Sequence, residues 1–211
     1  MTLRYLIAIA AGAAFCMGHL AIGADITPDL MTDAQKAALQ QTIYTCSTCH
    51  GTDGRSISPT FPNLAAQSAK YIELQLHAFK DQTRADPDAQ AYMWGMASQL
   101  NDTLISGLAN YFAKQPAAPG VSGDAALIAQ GKSIFEEGVP SREIPPCVSC
   151  HGAHAEGNGP FPRLAGQHAP YLLKQLLVIQ NVLRAAPVMH GVIKDLSKDQ
   201  IQAVAMYLQS I

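Results

Sequence analysis

The sequence predicts an all-α protein made of two copies of one unit in tandem, each with about three main helices. Three observations carry that expectation. A six-residue string occurs twice, as Cys46-Ser47-Thr48-Cys49-His50-Gly51 and Cys147-Val148-Ser149-Cys150-His151-Gly152. A longer repeat surrounds it: Phe61-Pro62-Asn63-Leu64-Ala65 returns as Phe161-Pro162-Arg163-Leu164-Ala165, a shift of 100 that also pairs Gln67, Tyr71, Gln75 and Leu76 with Gln167, Tyr171, Gln175 and Leu176. Apolar residues recur at helical spacing, and no stretch sustains an alternation of two.

Residues 1–24 are set aside first. Arg4 precedes a short apolar run from Leu6 to Phe15, and Ala21-Ile22-Gly23-Ala24 offers small residues for cleavage, the pattern of an export signal peptide. Gly18 and His19 interrupt that apolar stretch, which is short for a membrane span. Of the five cysteines, Cys16 leaves with this leader and the other four all sit in the two strings, so no disulfide framework remains. The net charge of −2 becomes −3 once Arg4 is lost, and no basic run points to nucleic acid or to more than peripheral membrane contact.

In the first unit, residues 25–115, Thr32 or Asp33 is expected to cap a helix running to about Thr45. A loop rich in Gly, Ser, Thr and Pro follows. A second helix is expected from Ala69 to about Thr83. A third starts at Asn101 or Asp102, with Ile105, Leu108, Ala109 and Phe112 on one face. Residues 116–123, with two prolines and two glycines, break the helical pattern and read as a linker. The second unit, 124–211, repeats the scheme with helices near 124–137, 168–184 and 198–210, the last opened by a Ser197–Gln200 capping box. One local departure is visible: Pro140, Pro145 and Pro146 precede Cys147, where a helix cannot continue, and an extra loop is expected there.

The repeated string is C-x-x-C-H, the attachment signature of a c-type haem. Two thiols about one turn apart can form thioethers to the two vinyl groups of a porphyrin, and the following histidine can bind its iron. The competing readings are a redox dithiol or half of a zinc site. A dithiol of the thioredoxin kind would want a βαβ setting that is absent, and zinc would want the two pairs brought together. Two covalently bound haem c groups are therefore expected, held by Cys46, Cys49 and His50 and by Cys147, Cys150 and His151.

What such an iron does depends on its sixth ligand: an open position favours ligand or peroxide chemistry, a filled one electron transfer. Met93-Trp94-Gly95-Met96 pairs with Met189-His190-Gly191-Val192 at a shift of 96, a register that also pairs Leu100 with Leu196 and Ile105 with Ile201. Met96 falls opposite Val192, which cannot ligate, whereas Met93 falls opposite Met189. Met93 and Met189 are the expected ligands, and Met96 is packing or a backup. Pro62 and Pro162 lie 12 and 11 residues after the haem histidines, placed for their carbonyls to accept the imidazole Nδ1–H. His77, His154, His168 and His190 do not recur between units and are read as ordinary residues, as is Trp94.

Taken together, the leader, the two C-x-x-C-H-G strings, the two F-P-x-L-A-x-Q strings and the methionine-bearing endings resemble the di-haem cytochrome c4 family over essentially the whole mature chain. The resemblance implies two cytochrome c domains related by a pseudo-twofold, haems meeting near the interface, and single-electron transfer in the periplasm of a Gram-negative bacterium towards a terminal oxidase. It carries the ligand pairs over as His50 with Met93 and His151 with Met189. The expected partners are a redox donor and acceptor, and the chain is not expected to be an enzyme. The alternative is an electron-accepting subunit of a periplasmic dehydrogenase such as a sulfide-oxidising flavoprotein. A di-haem peroxidase or thiosulfate-oxidising enzyme would need a labile or non-Met ligand. Where the first unit has Ala66 and Ser68, the second has Gly166 and His168.

Overall fold

The Thr32 hydroxyl accepts the Gln35 amide while the Gln35 side chain accepts the Thr32 amide, a closed capping box that starts helix α1, Asp33–His50. The structure, a computed structural model, describes residues 31–211, and the expected signal peptide lies outside them. Helix α1 corrects the expectation of an end near Thr45: it runs on through the first C-x-x-C-H string and stops at Gly51, φ 80°. Nothing between Cys46 and His50 breaks a helix, and the Ser47 and Thr48 hydroxyls turn back onto the Ile43 and Thr45 carbonyls.

Helix α2, Ala69–Lys80, is capped by the Ser68 hydroxyl and ends before the expected Thr83. Gln82 stops it by taking a left-handed φ of 57°. Helix α3, Trp94–Ala97, follows a wide helical turn at Ala89–Met93, and α4, Asp102–Ala113, is capped by Asn101. The second unit repeats the plan with α5, Ala125–Glu137; α6, Val148–His151; α7, Ala169–Gln180; α8, Pro187–Ile193; and α9, Lys198–Ser210. Helix α7 stops short of the expected residue 184 for the reason α2 does, because Val182 adopts φ 60°. The Ser197–Gln200 capping box closes as expected. Among the described residues no strand forms, and no helix is long and apolar enough to cross a membrane.

Where the first unit has one continuous helix, the second has α5, a loop and then α6. The proline-rich loop closes on itself through an antiparallel bridge between Val139 and Ile144, buries Ile144 in the core, and returns Cys147 to the Phe135 carbonyl at 2.9 Å. The detour therefore delivers the second string to the equivalent place.

Each unit has its own core. Ile72, Leu76, Phe79, Ile105, Leu108 and Phe112 carry the first; Phe135, Leu172, Leu176, Ile201, Val204 and Leu208 carry the second. Full burial of one such large side chain contributes about 1.5–3 kcal/mol. Helix α1 packs on α4 and α5 on α9. The α5–α9 crossing is tight enough that a Cβ on Gly131 would lie 2.0 Å from the Ala203 carbonyl oxygen. Residues 116–124 form no helix and run along the second unit, with the Val121 amide bonded to the Gln209 carbonyl at 2.8 Å.

Candidate functional site

His50 ends α1 and His151 ends α6, and each is only 7% exposed. Their Nδ1 atoms lie 2.9 and 3.0 Å from the carbonyls of Pro62 and Pro162. A carbonyl only accepts, so Nδ1 carries the proton and Nε2 keeps its lone pair. Burial pulls both imidazoles below the ordinary histidine range, partly offset by the proline carbonyl, which leaves them neutral at neutral pH. Phe61 and Phe161 meet the two rings edge-on.

Cys46 and Cys147 are partly buried, whereas Cys49 and Cys150 are exposed. Burial pushes the thiols of Cys46 and Cys147 up to about 11. A redox dithiol needs a thiolate held at low pKa, so Cys46 and Cys147 lack the activation that reading would ask of them. Among the described residues no three His, Cys, Asp or Glu side chains converge as a zinc site would need.

Both strings face one cavity of about 750 Å³ that extends between the two units and has mainly apolar walls. Cys46, His50, Pro62 and Met93 line it from the first unit, and Cys147, Cys150, His151, Pro162 and Met189 from the second. Of the candidate residues only Cys49 stands outside the wall. Met93 is delivered by the wide turn Ala89–Met93, and Met189 by α8. Met96 is 56% exposed and lies outside, while its counterpart Val192 is in the wall. His77, His154, His168 and His190 do not line the cavity. His168 instead bonds the Ser56 carbonyl across the units, and Trp94 donates to the Arg84 carbonyl.

The polar groups that join the units were only half visible in the sequence. Gln67 and Gln167 belong to the repeated string, and each bonds the backbone of the opposite unit, at Arg163 and Asn63 respectively. Arg84 and Arg184 lie outside that string, although they obey the same shift of 100. Arg84 donates to Gln75 and across to Gln175; Arg184 donates to Gln175 and across to Gln75 and Tyr71.

This donor set suits a large flat apolar group that two thiols, a neutral imidazole and a thioether in each half could hold. The fit to haem c is good on three counts: the size and apolar lining of the cavity, the fixed tautomer of both histidines, and a methionine in each half. The class this defines is a c-type cytochrome.

Comparison with known proteins agrees. The cytochrome c family model matches residues 30–115 and again 128–211. Cytochrome c-552 of Acidithiobacillus ferridurans is 41% identical over 168 residues, covering 79% of this chain and 73% of that protein. Cytochrome c4 of Pseudomonas aeruginosa is 35% identical over 181 residues, covering 83% of this chain and 88% of that one. The structure of Acidithiobacillus ferrooxidans cytochrome c4 superposes with a TM-score of 0.76 at 40% identity, over 80% of this chain and 99% of that one. The chain belongs to the cytochrome c family and, within it, to the di-haem cytochrome c4 proteins. It is an electron-transfer protein rather than an enzyme, and it carries two covalently bound haem c groups.

Proposed function

We propose that this cytochrome is exported to the periplasm and passes single electrons from one redox protein to another on the way to a terminal oxidase. Its domains are taken as 25–115 and 124–211, joined by the linker 116–123. Cys46 and Cys49 would hold the first haem, with His50 and Met93 as axial ligands. Cys147 and Cys150 would hold the second, with His151 and Met189. When bound, each haem c supplies a one-electron ferric/ferrous couple.

The observation that carries this reading is that Met93 and Met189, equivalent in the repeat, line the same cavity as His50 and His151. With a histidine and a methionine of the chain to hold each iron, no coordination site would be left for a substrate. The prolines orient the imidazoles, the apolar walls exclude water, and fixed ligands keep reorganisation small. Thioether is soft and neutral and favours the ferrous state, so both potentials should be high.

An anaerobic redox titration of the purified holoprotein, repeated under carbon monoxide, tests this. Two high-potential steps, a methionine–ferric charge-transfer band and no carbon monoxide shift are the expected result. A haem that binds carbon monoxide in the native protein would remove Met93 or Met189 from the ligand set and turn the reading towards ligand chemistry.

A further inference from the structure

The pseudo-twofold that relates the two units is broken at one buried charge. Arg84 and Arg184 are equivalent, both are less than one-tenth exposed, and both line the cavity. Their neutral partners are equivalent as well, since each guanidinium reaches Gln75 and Gln175. The carboxylate is not. Arg84 Nε donates to Asp86 Oδ2 at 2.9 Å, and Asp86 is fully buried. The residue at the equivalent place beside Arg184 is Ala186. Among the described residues Arg184 makes no ion pair.

A buried charge interacts far more strongly with its surroundings than an exposed one, because no water screens it. In a buried ion pair the two fields largely cancel; a lone buried guanidinium keeps its full positive field. Arg84 also stacks on Phe79, in the first unit's core, with its guanidinium carbon 4.6 Å from the ring centroid. The Trp94 indole holds the Arg84 carbonyl, one residue after Met93. Asp86 sits just before the turn that carries Met93, and its second oxygen, Oδ1, has no partner among the described residues. Two other charges of this cavity also lack a counterpart: Asp88, opposite Val188, is paired with Lys174 and both are partly exposed, and Arg163, opposite Asn63, is a partly buried cation on the second unit's side, so it adds to the same bias.

We propose that Asp86 is the positioning residue that makes the two haem environments unequal: by cancelling Arg84 it holds the reduction potential on the first unit's side below that on the second, where Arg184 is uncompensated. The physical basis is the sign of one charge. Reduction adds one electron and lowers the net charge of the iron centre by one. A nearby uncompensated cation favours the reduced form, and a carboxylate that cancels that cation withdraws this bias. The inference rests on the ligand assignment above and adds the residue that separates the two couples.

The test is spectroelectrochemical titration of holoprotein variants. Asp86→Asn keeps an oxygen for the Arg84 Nε–H and removes the charge; it is expected to raise the lower of the two steps by roughly tenfold in its equilibrium constant, ~59 mV for one electron, and to narrow the gap. Ala186→Asp offers Arg184 the same partner and is expected to lower the upper step. An unchanged lower step, or equal movement of both steps, in Asp86→Asn overturns the inference. If that variant does not accumulate with haem, Ala186→Asp decides: a fall in the upper step supports the inference and an unchanged step overturns it. Failure of the wild type to show two closed haems would instead defeat the ligand assignment, which the same titration reports separately.

Discussion

Gln167 clasps the backbone of Asn63: its Oε1 accepts the Asn63 amide at 2.8 Å and its Nε2 donates to the Asn63 carbonyl at 2.9 Å. Gln67 does the same to Arg163, at 2.7 and 2.9 Å. Asn63 and Arg163 directly follow the prolines whose carbonyls hold His50 and His151. The repeated F-P-x-L-A-x-Q string thus has two roles in one loop. Its proline fixes the imidazole of its own unit, and its glutamine fixes the loop of the other. Each histidine is oriented through a loop that the opposite unit holds in place.

Replacing Gln167 with Ala leaves the buried Asn63 amide and carbonyl without partners, at about 1–3 kcal/mol for each orphaned group. Because the pair is reciprocal, Gln67→Ala/Gln167→Ala should uncouple the units. The expected outcome is that denaturant unfolding of the holoprotein, one transition in the wild type, separates into two. A single transition at the wild-type midpoint would show that the clasp does not couple the units.

The helices were legible because their signals are local. Thr32–Gln35 and Ser197–Gln200 are capping boxes within four residues, and the apolar spacing around Ile105 and Ile201 spans a full helix. The helix ends were less so: the left-handed turn at Gln82 and Val182 uses residues with no turn preference, and it shows only in the backbone bonds that close behind it, from Arg84 to the Ala78 carbonyl and from Arg184 to the Val178 carbonyl. The wide turn Ala89–Met93 is too short to show a period. Among candidate site residues, Met93 and Met189, which both line the cavity, could be paired in the sequence because duplication supplied a second copy to compare. Arg84, Arg184 and Asp86 fall between the two repeat registers, after the shift of 100 seen as far as Leu76 and before the shift of 96 that starts at Met93, and a buried Arg–Asp pair at i and i+2 has no local pattern to announce it.

On the proposed ligand assignment, removing one thioether opens one iron. Met93→Ala and Met189→Ala are each expected to bind carbon monoxide at a single haem and to lose about half of the methionine–ferric charge-transfer absorbance, since one of two couples keeps its ligand. Met96→Ala should leave both features intact, because Met96 is exposed and outside the cavity. Carbon monoxide binding by Met96→Ala, with none by Met93→Ala, would reverse the assignment.

The contrast between Ala66 and Gly166 has a steric cause. Both residues are left-handed, φ 55° and 71°, and both amides bond the last helix of their unit, at Phe112 and Leu208. At Gly166 the segment following the first unit passes so close that a Cβ would lie 2.4 Å from the Ala118 carbonyl oxygen. Gly166→Ala should therefore destabilise the protein by about 1–3 kcal/mol, whereas Ala66→Gly should change stability by no more than about 1 kcal/mol. Chemical denaturation of the two variants checks both; equal effects would mean that the passing segment does not constrain residue 166.

The cavity also sets what the chain can do without its prosthetic groups. Without the haems the apolar walls of the about 750 Å³ cavity have no packing partner, and each large side chain so exposed forgoes about 1.5–3 kcal/mol of burial, against the about 5–15 kcal/mol that typically holds a domain together. The haem-free chain is therefore expected to collapse around the cavity and lose fixed packing while the capped helices α1 and α9 persist in part. Produced without covalent haem attachment and stripped of residual haem, it should keep much of its far-ultraviolet circular dichroism, lose the near-ultraviolet signal, and exchange its core amides rapidly. A sharp cooperative transition with native-like near-ultraviolet dichroism would show that the apolar walls close into a stable core of their own.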